Sequence, residues 1–153
     1  MLDLLDSIII YNIMDEYLSL TNHHKYLLAT SHFSLISAAY GYNNGISLWI
    51  IPAGVYINSI NYWRRPAIGW RRNIDIGYAV GGCVCQSVIA YQSSIFQIFY
   101  FSLLMVALLA YPLGGWFYSR KQYVASTFAH SLIHILANIA NLALYYSIKN
   151  GLF

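Results

Sequence analysis

The chain has 153 residues, 59% of them hydrophobic and 17% aromatic, with only 8% charged and a mean hydropathy of +0.52. So few charges cannot cover a water-soluble globule, and the composition predicts an all-α, polytopic transmembrane helix bundle. At about 20 apolar residues per crossing there is room for one domain of about four to six spans, and the net charge of +3 informs less than where its eight Lys and Arg lie.

Residues 1–24 read as an amino-terminal interfacial segment. The stretch 2–20 is apolar enough to be helical, but Asp3 and Asp6 fall on a different side of the wheel from Asp15 and Glu16, so it is expected to lie on the bilayer and not cross it. The same acids argue against a secretory or transit peptide.

Residues 25–153 read as a single transmembrane domain with spans expected at 26–42, 46–62, 76–93, 95–118 and 122–148. Residues 43–45 and 92–94 make tight turns, and 63–75 is the long loop. Gly77 and Gly81 form a GxxxG spacing, with Gly82 beside it, expected to let the third span pack closely on a neighbour. Cys83 and Cys85 are too close in sequence for an ordinary disulfide.

Five spans place Lys25, Arg64, Arg65, Arg71, Arg72, Arg120 and Lys121 on one side and Lys149 on the other. That asymmetry puts the amino terminus on the cytosolic side and the carboxyl terminus opposite. Trp63, Trp70, Trp116 and Tyr118 fit interfacial belts. Anionic headgroups are the expected partners of Arg64, Arg65, Arg71 and Arg72, in preference to nucleic acid. His23 and His24, beside Lys25, are expected to be solvated.

The last span carries the chain's most telling pattern. On a helix His130, His134, Asn138 and Asn141 fall within a sector of about 80°, with Thr127 and Tyr145 inside it. Such a stripe must face protein or a water-filled cavity, because lipid leaves its polar groups unpaired. Histidines at i and i+4 aim two imidazoles at one point, as a metal needs, whereas the two axial ligands of a haem come from opposite sides. At about 1.5 Å per residue, His130 and His134 lie about 13 and 19 Å from the basic loop, and His32 lies about 10 Å from Lys25. The three could therefore meet. Asn58, Ser59, Asn61 and Asp75 gather toward the same leaflet.

The run from His130 through Ser131, Leu132 and Ile133 to His134, and on to Tyr145, resembles the last-helix HxxxH segment of the superfamily of transmembrane hydrolases that includes alkaline ceramidases and the adiponectin and progestin receptors. An upstream Ser-x-x-x-His and a later Asp accompany that segment in the superfamily. Here Ser59 and Asp75 match, while Trp63 stands where the histidine would be. The resemblance implies zinc at His130 and His134, with His32 as the remaining deep histidine for a third ligand. It also implies that Ser59 and Asp75 position or activate a water that attacks a lipid amide.

The residues alone leave two classes open. One is this membrane-embedded, metal-dependent hydrolase. The other is a non-enzymatic membrane subunit that binds a lipid, a partner membrane protein or a second copy, its stripe forming an interhelical His/Asn hydrogen-bond network. Among the interhelical candidates are Asn58, Ser59, Asn61, Asn138 and Asn141, and Arg71, Arg72 and Asp75 could equally be a topology anchor. Phosphate-binding loops, dinucleotide fingerprints and nucleophile elbows are absent from the sequence, and nothing repeats internally as in many transporters.

Overall fold

The computed structural model describes residues 22–66, 69–92 and 96–152, and these are helix and turn with no strand. The expected amino-terminal interfacial segment, 1–24, lies outside the described residues apart from its last three. The helices are α1 (22–31), α2 (Ser34–Asn43), a 3₁₀ turn (Ser47–Trp49), α3 (Ile50–Trp63), α4 (Trp70–Ala90), α5 (Gln97–Ser119) and α6 (Tyr123–Lys149).

The expected first span is broken in two. Thr30 and Ser31 donate their hydroxyls to the Leu27 carbonyl, and Nδ1 of His32 donates to the carbonyls of Leu28 and Ala29. Three successive side chains thus compete for the carbonyls of the preceding turn, and the backbone tightens to three-residue hydrogen bonds from His32 to Ile36. The Ser37 amide then takes Oδ1 of Asn138, 3.1 Å away on α6. Asn138 is buried there, so one member of the stripe holds the break in the neighbouring helix.

Three helix ends share one chemistry. At α2, α5 and α6 the amides two and three residues past the helix bond back to carbonyls of its last turn: Gly45 and Ile46 to Tyr42 and Gly41, Lys121 and Gln122 to Tyr118 and Phe117, Gly151 and Leu152 to Ile148 and Ser147. This closure needs a left-handed residue, supplied by Gly45 (φ 68°) and Gly151 (φ 63°), but by Lys121 (φ 58°) in the α5–α6 turn.

α5 and α6 form the most extensive pair, α6 packs on α2, α2 on α3 and α3 on α4, while α4 meets α5 only briefly. The core lies at the end away from the arginines and joins Ile46, Ala90, Tyr100, Ala140, Leu144 and Tyr145. Buried Tyr145 donates its hydroxyl to the Leu48 carbonyl at 2.8 Å and accepts from Nε2 of Gln86 at 3.0 Å, joining α6 to the 3₁₀ turn and α4. The GxxxG expectation is corrected: a Cβ at Gly77 or Gly81 would meet nothing within 4 Å. The close approach is made by Gly82, against Ile51, and by Gly54, whose added Cβ would overlap the Tyr78 ring.

α5 and α6, with 23 and 27 residues, are long and apolar enough to cross a membrane, and only 22% and 28% of their most apolar stretches are buried. Among the described residues, five helices of full crossing length are not present. α3 has 14 residues, about 21 Å of helix against a hydrocarbon core of about 30 Å, α1–α2 is interrupted, and α4 carries Arg71, Arg72 and Asp75 in its first two turns.

Candidate functional site

Four elements converge near the basic end. His23 comes from α1, Trp63 from the end of α3, Tyr111 and Tyr118 from α5, and Thr127, His130 and His134 from α6. The His130 and His134 rings are 5.6 Å apart, as one helical turn dictates. Trp63 is buried and stands edge-on to His130 with ring centroids 5.2 Å apart, and Tyr111 approaches the same imidazole at 6.3 Å. Two nitrogens in this cluster, Nε1 of Trp63 and Nε2 of His134, are buried and have no hydrogen-bond partner among the described residues.

His23 corrects the expectation of a solvated residue, for it is only 5% exposed. Its ring lies 5.5 Å from Tyr118, 6.4 Å from Tyr123 and 6.2 Å from Trp63, and its Nδ1 is 2.6 Å from Oγ1 of Thr127. The Thr127 hydroxyl already donates to the Tyr123 carbonyl at 2.8 Å, so Nδ1 of His23 is the donor of the shorter bond. Burial, reinforced by His24 beside it (5.6 Å), holds His23 below its ordinary pKa, while a backbone contact with Tyr123 opposes the shift. His24 is half-buried against Trp63, and burial lowers its pKa too. Position next to Lys25 suggested water; only the packing of α1 against α6 revealed the burial.

Ser59 and Asp75 are brought together. The buried Ser59 hydroxyl donates to Oδ1 of Asp75 at 2.7 Å, joining α3 to the first turns of α4 one helical turn from Trp63. His32 is not brought to the pair. It is exposed, its Nδ1–H serves its own helix, and its ring packs on Tyr56 at 5.3 Å. Nine residues beyond His23, His32 lies on the opposite side of the helix from the face that carries His23, Leu27 and Ser31. Cys83 and Cys85 are free thiols.

A catalytic zinc takes three protein ligands and leaves one position for water. His130 and His134 supply two imidazoles, Trp63 presents an indole that can only donate, and Nδ1 of His23 is engaged with Thr127. Among the described residues no three His, Cys, Asp or Glu side chains are grouped to hold a metal ion. The described residues do not complete a catalytic zinc site.

Exposed Trp70 and Trp116 bracket the basic end. The Arg120 guanidinium lies 4.4 Å over the Trp116 ring and that of Arg71 lies 5.5 Å from the Trp70 ring. A cleft of about 600 Å³ opens between α4 and α5, lined by Val80, Val84, Val88, Phe101, Leu104 and Leu108 among others. No protein-family description, curated protein or solved structure matches the chain.

Proposed function

We propose that this chain is a multi-pass membrane protein that works without enzymatic chemistry, as a lipid- or partner-binding subunit built around a buried, metal-free His–Trp cluster. The observation that carries the reading is Trp63 seated against His130, where the hydrolase motif would place a histidine. Exposed Ile98, Leu109, Val124 and Phe128 support the membrane assignment, since outward apolar faces on α5 and α6 need lipid or protein cover. Five membrane-crossing segments at 26–42, 46–62, 76–93, 95–118 and 122–148, with His23 and His24 outside the first, would set the basic loops and the amino terminus on the cytosolic side. Arg64, Arg65, Arg71 and Arg72 would then meet anionic headgroups, with Trp70 and Trp116 at the same level.

The hydrolase reading retains one observation in its favour, the Ser59–Asp75 hydrogen bond. That bond equally ties α3 to α4. Metal content separates the two readings. Protein purified without chelator and measured by mass spectrometry is expected to contain far less than one zinc per chain. Stoichiometric zinc lost in His134→Ala would sink the metal-free reading.

A further inference from the structure

Charge is divided unevenly along the chain. All eight Lys and Arg fall in residues 22–153, where Asp75 is the lone acid, while residues 1–21 hold Asp3, Asp6, Asp15 and Glu16 and no Lys or Arg. Asp75 accepts the Ser59 hydroxyl, and among the described residues Arg64, Arg65 and Arg120 have no ion pair. Exposed charge of one sign gathered at one end draws in the nearest anion.

The acidic segment joins the bundle where the arginines stand. His23 lies 5.5 Å from Tyr118 and 6.2 Å from Trp63 and shares a 2.6 Å hydrogen bond with Thr127. Arg120 follows Tyr118 by two residues, and Arg64 and Arg65 follow Trp63 directly. Glu16 stands seven positions before His23, so a chain of at most about 3.6 Å per residue keeps it within about 25 Å of that anchor. An isolated exposed ion pair contributes little, but this tether makes the encounter with Arg120 intramolecular, at an effective concentration on the order of millimolar. Arg120 is exposed and lays one face of its guanidinium on Trp116, 4.4 Å from the ring. The N–H groups at the edge of that plane are the ones that hold a carboxylate in fork geometry.

We propose that the acidic segment 1–21 folds back on the basic end of the bundle and seats its adjacent acids, Asp15 and Glu16, on Arg120. These two are the acids nearest the anchor, whereas Asp3 and Asp6 are more than twice as far from it along the chain. The segment takes the place of an anionic headgroup at Arg120 and leaves Arg71 and Arg72, in the first turn of α4, to the lipid. The proposal goes beyond the metal-free reading and stands whether or not the histidine cluster holds zinc.

Full-length chain carrying Arg120→Lys, at one chain per phosphatidylcholine nanodisc, is treated with a water-soluble carbodiimide, which joins a carboxylate to an amine that it touches. Linked peptides are read by mass spectrometry. Lys121 of the unsubstituted chain is the neighbouring amine, so the measurement survives a variant that does not fold. Links from Asp15 or Glu16 are expected at position 120 or Lys121, about threefold or more above those to Lys25, and their yield is expected to fall about threefold or more between 0.1 and 1 M salt as screening rises. Tethering alone would favour Lys25, which is nearer in sequence. Links to Lys25 in equal or greater amount therefore overturn the proposal, as do a yield indifferent to salt and an absence of links. An absence of links with anionic phospholipid copurified on the chain gives Arg120 to lipid and overturns it as well. In discs that hold one ¹⁵N-labelled and one unlabelled chain, links that join the two in place of those within one chain overturn it too, since the seat then serves a second copy.

Discussion

Trp63 decides what the histidine pair can do. Its ring fills the side of His130 that faces α3 and offers a donor where a metal would need a lone pair. Trp63→His is therefore expected to convert the cluster into a three-imidazole site, with zinc rising to about one per chain on metal analysis. His130→Ala in the same background should abolish that gain, and no gain at all would show that the third side of His130 is not where Trp63 stands. His23 is a second residue whose role depends on packing. With its pKa held below the ordinary value of 6.5, the unfolded state binds more protons than the folded one as pH drops below that value, so stability rises with pH and is lost on acidification. The groups facing it are His24, Trp63, Tyr118, Tyr123 and Thr127. Thermal unfolding in nanodiscs is expected to shift downward between pH 7.5 and 5.5, less so in His23→Gln, and an identical shift in the two proteins would remove His23 as the cause.

Helix pairing turns on glycines that the spacing motif did not single out. Gly54 and Gly82 let α3 and α4 approach, because Tyr78 and Ile51 occupy the space a Cβ would need. Gly54→Ala is expected to destabilise the protein by about 1–3 kcal/mol through overpacking, whereas Gly81→Ala, in open space, should stay within about 0.5 kcal/mol. Reversible denaturation in mixed micelles compares them, and equal losses would contradict this α3–α4 contact. The break between α1 and α2 is also an element-scale event. Hydroxyls and an imidazole, each compatible with a helix by composition, act together on one turn of carbonyls, and Asn138 satisfies the amide this frees. The polar stripe of α6 is thus divided: its Asn138 and Tyr145 end is structural, and at its other end Nε2 of His134 has no partner among the described residues.

Across the described residues, the polar cluster, the arginines, Trp70 and Trp116 gather at one end, and the apolar core with Tyr145 lies at the other. An odd number of crossings would put the loop at Arg65 and the carboxyl terminus on opposite sides. Cysteines introduced as Arg65→Cys and Asn150→Cys, in a background free of Cys83 and Cys85, are expected to react with an impermeant maleimide from opposite faces of sealed vesicles. Labelling of both from one face would require an even number of crossings.

Helical class, the apolar character of α5 and α6, the α6 polar stripe and the gathering of Ser59 and Asp75 toward one end follow from composition and local spacing, because a helix maps sequence position directly onto a face and a depth; that the two side chains meet does not. The exposure of His32, the burial of His23, the outward turn of Gly77 and Gly81 and the seating of Trp63 on His130 do not. Each depends on how separate helices rotate and cross, which is set by side-chain packing between residues far apart in the chain and by a helix break that three polar side chains create together. Two imidazoles one turn apart were therefore readable from the chain alone. That their third neighbour is an indole and not another ligand was decided by tertiary packing.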